Sequence, residues 1–358
     1  MKRPITDSKQ FNLVRMFDEF ARQKGILFSD QEANNAFVEK VAEALSRHRQ
    51  TPIVVHGFRA QTMFAYVAAA LGGCRIITEE DSGEIFTDDA GLKRPDFRIL
   101  TTEVLEAFVE VKDFDQQGQP TKKFRCKLDY LNSLRRYAGA FGKPLYFAIY
   151  WSRWQLWTLT PESRFVACGA FCSLDLTDAI KADEMGILGD CLIGVTKPLL
   201  LRFYTDASKP RSVEADGHVQ YTVERAVYLA GGKEVTDQFE QKLAWFFLNY
   251  GRWQQHDRPA NVEDGELLSL DFIGVCDDPE PDQAFIMIGS LSSMVSKQFN
   301  ALTTENGEVL RLSPQVEPEK LGVLIPKEHC GDVLGVWRFF QQSSLIEAKN
   351  QAADCDKQ

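Results

Sequence analysis

Apolar residues recur at helical spacing over residues 31–48, where Ala36, Phe37, Val41, Ala44 and Leu45 share one side and Ser29 and Asp30 stand at a capping position. After the short apolar run Pro52-Ile53-Val54-Val55, the pattern returns over 59–71 with Met63, Phe64, Val67, Ala68 and Leu71, and Gly72-Gly73 closes it. Three extended runs follow, at 74–78, 98–100 and 107–111. Residues 121–141 then read as largely helical, with Leu128, Leu131, Leu134 and Ala138 as the buried stripe. An apolar strand at 144–150 and a hairpin partner at 155–159 complete this half. Tyr146, Phe147, Tyr150, Trp151, Trp154 and Trp157 crowd that hairpin and are expected to fill the core rather than to stack on bases.

Beyond residue 160 the spacing predicts a capped helix near 174–182, a turn at 185–189 and a strand at 198–204. A polar stretch at 209–217 reads as a linker. Strands follow at 220–229, 267–275 and 285–288, with shorter ones at 309–312, 323–325 and 334–340. Helices are expected at 234–250 and 290–302, the first with Phe239, Leu243, Phe246, Phe247 and Tyr250 on its apolar side. The acidic run at 277–282 reads as an exposed loop and 351–358 as a polar tail. With 358 residues two domains are the better expectation. The first is placed at 1–210 and an α+β domain at 211–350.

Composition narrows the class. Hydrophobic content of 44% and charged content of 26% are those of a soluble globular protein. No signal-peptide h-region and no membrane-length apolar run is visible, so a cytoplasmic protein without membrane contact is expected. The eight cysteines form no Cys-x-x-Cys pair and read as free thiols. The net charge of −10 argues against a protein that coats nucleic acid, but its distribution is uneven. Between 122 and 153 stand eight basic residues against Asp129 alone, a local balance of +7 that leaves −17 elsewhere. Lys122, Lys123, Arg125, Lys127, Arg135 and Arg136 are the candidate contacts to phosphates.

The chemistry lies in Pro95-Asp96, ending one extended run, and Glu110-Val111-Lys112 in the next. Side chains at i and i+2 of a strand share a face, so Glu110 and Lys112 point the same way and Val111 the other. Two carboxylates and an ammonium on one sheet edge are the parts for metal-assisted phosphodiester hydrolysis. These polar groups are expected to face a wet, shallow cleft.

Pro95-Asp96 followed by Glu110-Val111-Lys112 resembles the PD-(D/E)XK nuclease superfamily, which includes restriction endonucleases and Holliday-junction resolvases. Its core runs helix, three strands, helix, strand, the order predicted here over roughly residues 50–160. The resemblance implies an α/β fold, α+β overall: a restriction-endonuclease-like core with a mixed central sheet flanked by helices, to which the C-terminal α+β domain is added. It implies that Asp96, Glu110 and the carbonyl of Val111 hold Mg²⁺, with Mn²⁺ as a substitute, while Lys112 orients or helps deprotonate the attacking water or stabilises the developing charge. Members often carry a further acidic ligand on the helix before the first strand. Here that helix offers only Gln61, so Gln61 takes that place or Glu80 or Glu84 reaches in from the turn. The Gln-x-x-x-Tyr element of the helicase-linked branch is absent, since Tyr130 follows Cys126 and Tyr137 follows Ser133 at that spacing.

The expected activity is Mg²⁺-dependent hydrolysis of DNA, in anti-phage defence or DNA processing, with RNA left open as substrate. A homodimer or a protein partner of a defence system is the expected assembly. The alternative is a module that keeps the nuclease fold but only binds nucleic acid or protein.

Overall fold

The computed structural model describes residues 13–30, 33–80, 86–89, 91–103, 105–214, 216–276, 282–326 and 328–341. Glu84, residues 277–281 of the acidic loop and the 351–358 tail lie outside the described residues. The chain is mixed α/β. Helices α1 (Leu13–Lys24) and α2 (Ala33–Arg49) meet through a small cluster of Phe17, Ala21 and Ala33. Helix α3 runs over Pro52–Leu71, longer than the apolar stripe predicted. Pro52 stands at its first turn, where a missing N–H costs nothing, so the run 52–55 opens the helix. Gly72, at φ 80°, ends it in the left-handed conformation that glycine adopts without strain.

The central sheet contains β1 (Cys74–Glu79), β2 (Phe97–Thr101), β3 (Glu106–Phe114), β5 (Leu145–Trp151) and β6 (Leu156–Pro161), in the order β1-β2-β3-β5-β6. All pairings are antiparallel except β3 with β5. Between those parallel strands the chain makes β4 (Phe124–Lys127) and α4 (Leu128–Ala140). The expected single helix over 121–141 is thus corrected. Phe124 is buried and Arg125 and Lys127 are exposed, a two-residue alternation that the basic composition had hidden. Strand β4 joins β7 (Val166–Cys168) and β8 (Phe171–Leu174) in a small sheet of order β4-β8-β7.

Strand β3 is covered on both faces. Ala107, Val109 and Val111 join the cluster that includes Met63, Phe64 and Val67 of α3. Phe108 meets Leu131, Leu134 and Tyr137 of α4 on the other side. Continuous burial of this kind is what a parallel pairing inside an α/β layer demands. Of the aromatic hairpin, Tyr146, Phe147, Tyr150, Trp151 and Trp157 belong to the core, whereas Trp154, expected there too, is exposed on the turn between the strands, where its indole N–H donates to Gln116 Oε1 at 2.7 Å.

The remaining chain comprises α5 (Leu176–Lys181), β9 (Leu192–Thr196), β10 (Leu199–Thr205), the hairpin β11 (Ser212–Val213) with β12 (Val219–Gln220), β13 (Val223–Ala230), β14 (Lys233–Glu234) and α6 (Gln238–Tyr250). Then come β15 (Gln255–Asp257), β16 (Ala260–Glu263), β17 (Glu266–Val275), β18 (Phe285–Ser290), α7 (Leu291–Thr303), the hairpin β19 (Thr304–Glu305) with β20 (Glu308–Val309), and β21 (Val336–Phe339). One sheet has the order β14-β13-β10-β17-β15, with β16 also on β17; another has the order β18-β9-β21. The strand expected at 323–325 does not form.

The boundary expected at residue 210 does not separate two cores. Strand β10, before it, pairs with β13 and β17, after it, and β9 lies between β18 and β21. One buried cluster holds Phe64 and Trp157 together with Leu243, Phe246, Phe247 and Phe299. The Trp157 indole N–H donates to Ser296 Oγ of α7 at 2.9 Å, and Arg59 of α3 donates to Thr303 Oγ1 at 3.2 Å. Residues 209–214 and 216–217 lie in the connection between the paired strands β10 and β13, where β11 and β12 form a two-stranded hairpin of their own, so turn composition there marks no domain edge. No helix among the described residues is long and apolar enough to cross a membrane.

A shared core predicts shared unfolding. Phe247 is fully buried, so Phe247→Ala should cost about 3–5 kcal/mol. Tryptophan fluorescence and far-UV circular dichroism should still report one coincident urea transition for the variant. Two separated transitions would restore the boundary at 210.

Candidate active site

Asp96 stands one residue before β2. The last ladder pair there is Phe97 opposite Val109, so Asp96 is beside Glu110, on the sheet face that carries Lys112. Asp96 is 8% exposed and its carboxylate is held at both oxygens. Gln61 of α3 donates Nε2 to Oδ1 at 2.6 Å, and the Val111 backbone N–H donates to Oδ2 at 2.7 Å. The side chain thereby continues the β2–β3 pairing past the end of β2. In an extended strand the N–H and C=O of one residue leave on the same side, so the Val111 carbonyl is turned toward Asp96.

Glu110 is 2% exposed. One of its oxygens, Oε1, accepts from both Lys112 Nζ and the Tyr130 hydroxyl. The other, Oε2, is buried and has no hydrogen-bond partner. Lys112 also donates to Tyr130 Oη at 3.1 Å, closing a three-membered network, and its side chain keeps 29% of its exposure. The expected wet, shallow cleft is therefore corrected: the carboxylates are buried, and only the lysine reaches toward solvent. The cause is α4, which lays Tyr130 over this part of β3.

Tyr130 is the residue that motif matching passed over. It sits in the first turn of α4, and Tyr137 lies two turns along the same side. Burial first, then the Glu110 charge and hydrogen bond, then the Asp96 charge, push the Tyr130 hydroxyl far above its ordinary value. Tyr130 is thus a fixed neutral donor within the field of both carboxylates. Lys93 Nζ lies 4.2 Å from the centre of its ring and Lys112 Nζ 5.3 Å, geometry suited to cation–π attraction. The sequence signal was a tyrosine at the head of the helix after the Glu-x-Lys strand.

Of the further candidates, Gln61 reaches the site and Glu80 does not. The Glu80 carboxylate accepts from the Tyr137 hydroxyl at 2.5 Å, although its backbone N–H bonds the Asp96 carbonyl at 2.9 Å. Burial and that carboxylate push the Tyr137 hydroxyl up to about 12. Glu84 lies outside the described residues.

A hard cation takes oxygen ligands, and Mg²⁺ commonly uses one or two carboxylates with the remaining positions filled by water. The donors here are the orphaned Glu110 Oε2, the Asp96 carboxylate, the Val111 carbonyl and the amide oxygen of Gln61. Two carboxylates against one ammonium leave the cluster net negative. These features fit such an ion. Among the described residues no three His, Cys, Asp or Glu side chains cluster as a metal site, so the fit rests on two carboxylates and neutral oxygens. A cavity of about 730 Å³ lined by Leu71, Gly73, Cys191, Val295 and Arg338, among others, shares no residue with this site.

The basic segment divides. Lys123 pairs with Asp175 at 3.3 Å, Arg135 with Glu162, Arg136 with Asp89 at 3.4 Å, and Lys143 with Glu106 at 2.6 Å. Lys122 donates to Gln117 Oε1 at 2.9 Å. Arg125 lies 4.9 Å from the centre of the exposed Phe171 ring, and both Arg125 and Lys127 project from the outer face of β4. Much of the +7 balance is consequently answered by acids elsewhere in the chain.

No protein-family model matches the chain, and no curated protein matches it in sequence. Among solved structures, it is similar to Hjc, a Holliday junction resolvase from the archaeal hyperthermophile Archaeoglobus fulgidus. The match has 18% identity and a TM-score of 0.23 and covers 29% of this chain and 80% of that chain.

The buried network sets an energetic expectation. Glu110→Ala removes the acceptor of Lys112 and Tyr130, which should cost about 1–3 kcal/mol. Adding Lys112→Met should cost less than the sum of the two single changes, because the stranded ammonium is gone. Urea midpoints of the four proteins test this, and strict additivity would contradict the network.

Proposed function

We propose that the protein is a Mg²⁺-dependent nuclease that hydrolyses phosphodiester bonds in DNA at Asp96, Glu110 and Lys112. The observation that carries this reading is the asymmetry of Glu110. Two donors saturate Oε1, while Oε2 stays buried and unpartnered on the residue cross-strand from Asp96. Leaving a buried charged oxygen without a partner is costly. A cation held by Oε2, Asp96 and the Val111 carbonyl relieves that cost. When bound, the cation supplies charge neutralisation at the phosphodiester.

The chain's own groups supply the rest. Tyr130 remains protonated and keeps Glu110 Oε1 engaged, so the carboxylate presents its other oxygen. Gln61 and the Val111 N–H fix the orientation of Asp96. Lys112 has three N–H donors, of which Glu110 and Tyr130 take two. The third is available to an attacking water or to a phosphate oxygen on which charge develops. Arg125 and Lys127 on β4, with Lys93 beside Tyr130, provide positive charge around the strand end where the backbone of DNA would lie. A role in defence or DNA processing is in keeping with this chemistry and belongs to the same proposal, with RNA as the competing substrate.

Cleavage of linear, circular, branched and single-stranded DNA and of RNA, with and without Mg²⁺, is the direct test. Asp96→Asn, Glu110→Gln and Lys112→Met should each lower cleavage by about 10²-fold or more. Absence of any Mg²⁺-dependent cleavage by the wild type would favour the binding-only alternative. A second readout needs no substrate: saturating Mg²⁺ at ~100 times its dissociation constant should stabilise the wild type by about 2.7 kcal/mol. The same addition should leave the melting temperature of Glu110→Gln unchanged.

The ion pairs sharpen the expectation for DNA contact. Reversing Arg125 and Lys127 to Glu should weaken binding and reduce the slope of log affinity against log salt by about 0.9 per lost phosphate contact. Changing Arg135, already engaged by Glu162, should leave the slope unchanged. An equal effect at both places would remove β4 from the interface.

A further inference from the structure

Cys126 and Cys172 are directly opposed in the antiparallel β4–β8 ladder, with their sulfur atoms 3.1 Å apart. They are 46 residues apart in sequence, so the sheet alone brings them together. Cys126 is half-buried and Cys172 is 1% exposed. The following residue, Lys127, ends β4 as the N-cap of α4, and Tyr130 stands in the first turn of that helix. Cys126 also lies within the field of both Lys112 and Glu110.

We propose that Cys126 and Cys172 are a redox-modification site that low-molecular-weight disulfides close to an intramolecular disulfide, fastening the start of α4 to the small sheet. This proposal is independent of nuclease activity. Closure needs the sulfurs to approach by about 1 Å to reach a bond of about 2.05 Å. Opposed strand positions allow that without unpairing the ladder. The half-buried Cys126 is the sulfur an oxidant can meet, and Cys172 is the resolving partner.

With glutathione disulfide the step balances. The Cys126 thiolate attacks one sulfur of the oxidant, forming a mixed disulfide and releasing one glutathione, which takes up a proton. Cys172, after losing its proton to solvent, attacks the Cys126 sulfur and releases the second glutathione. Two protein thiols are oxidised and one external disulfide is reduced to two thiols. Burial, with the Cys172 neighbour adding to it, pushes the Cys126 thiol up to about 12, while Lys112 acts in the opposite direction. Closure is therefore expected to be slower than for an exposed thiol pair.

The test uses the full chain incubated with glutathione disulfide, then quenched, alkylated under denaturing conditions and mapped by mass spectrometry. The expected product links the peptides carrying Cys126 and Cys172, reverts with dithiothreitol, and raises the melting temperature by a few degrees. In Cys172→Ala, Cys126 should instead accumulate as the glutathione adduct. The exposed Cys168 is the internal control for reagent activity. Wild-type protein in which Cys168 has reacted while Cys126 and Cys172 remain fully alkylatable would overturn the proposal. So would a Cys126–Cys168 link in place of the expected one.

Discussion

A carboxylate buried in the middle of a sheet needs partners, and Glu110 sets what surrounds it. Strand β3 is central, parallel to β5 and covered on both faces, so the charge of Glu110 cannot be left to solvent. Lys112 supplies the opposite charge from two residues along the same face, and Tyr130 supplies a proton that its surroundings do not let go. Those two donors converge on one oxygen and leave the other unpartnered. The chemistry proposed for this site starts from that imbalance. It combines a negative, oxygen-lined position with a lysine that remains partly open to solvent.

The supports of this site extend through the molecule. Helix α3 positions Asp96 through Gln61 and, within the same turn but from a different side, reaches α7 through Arg59. Tyr66 of the same helix meets Phe299 of α7, ring centres 5.7 Å apart. The C-terminal half is thus the other wall of the core on which α3 rests. Residues far along the chain can shift Asp96 by moving that helix, because close-packed interiors transmit displacement.

Charge follows the same logic at the surface. The basic stretch after β3 looks like a single patch when counted along the chain. In three dimensions, acids from β3 and from the segments around residues 89, 162 and 175 answer much of it. Exposed ion pairs of this kind contribute little to stability. They do leave those cations already engaged within the chain, whereas Arg125 and Lys127 project from the outer face of β4.

The sequence by itself determined the order helix, three strands, helix, strand, because hydrophobic periodicity is a local property that α3, β1–β3, α4 and β5 each display. It also placed Glu110 and Lys112 on one face, since strand geometry fixes the i, i+2 relation. The tertiary structure alone decided what that face contains. Tyr130, Gln61 and the backbone of Val111 are brought to the carboxylates by packing between elements, and no spacing rule encodes such contacts. It also recruited Glu80 to Tyr137 rather than to Asp96. Strand β4 escaped notice because a four-residue alternation is too short to stand out beside a basic helix. The boundary at 210 looked like a linker because turn residues carry the same composition inside a sheet as between domains. Whether β10 pairs across it depends on long-range burial, which the chain expresses only when folded.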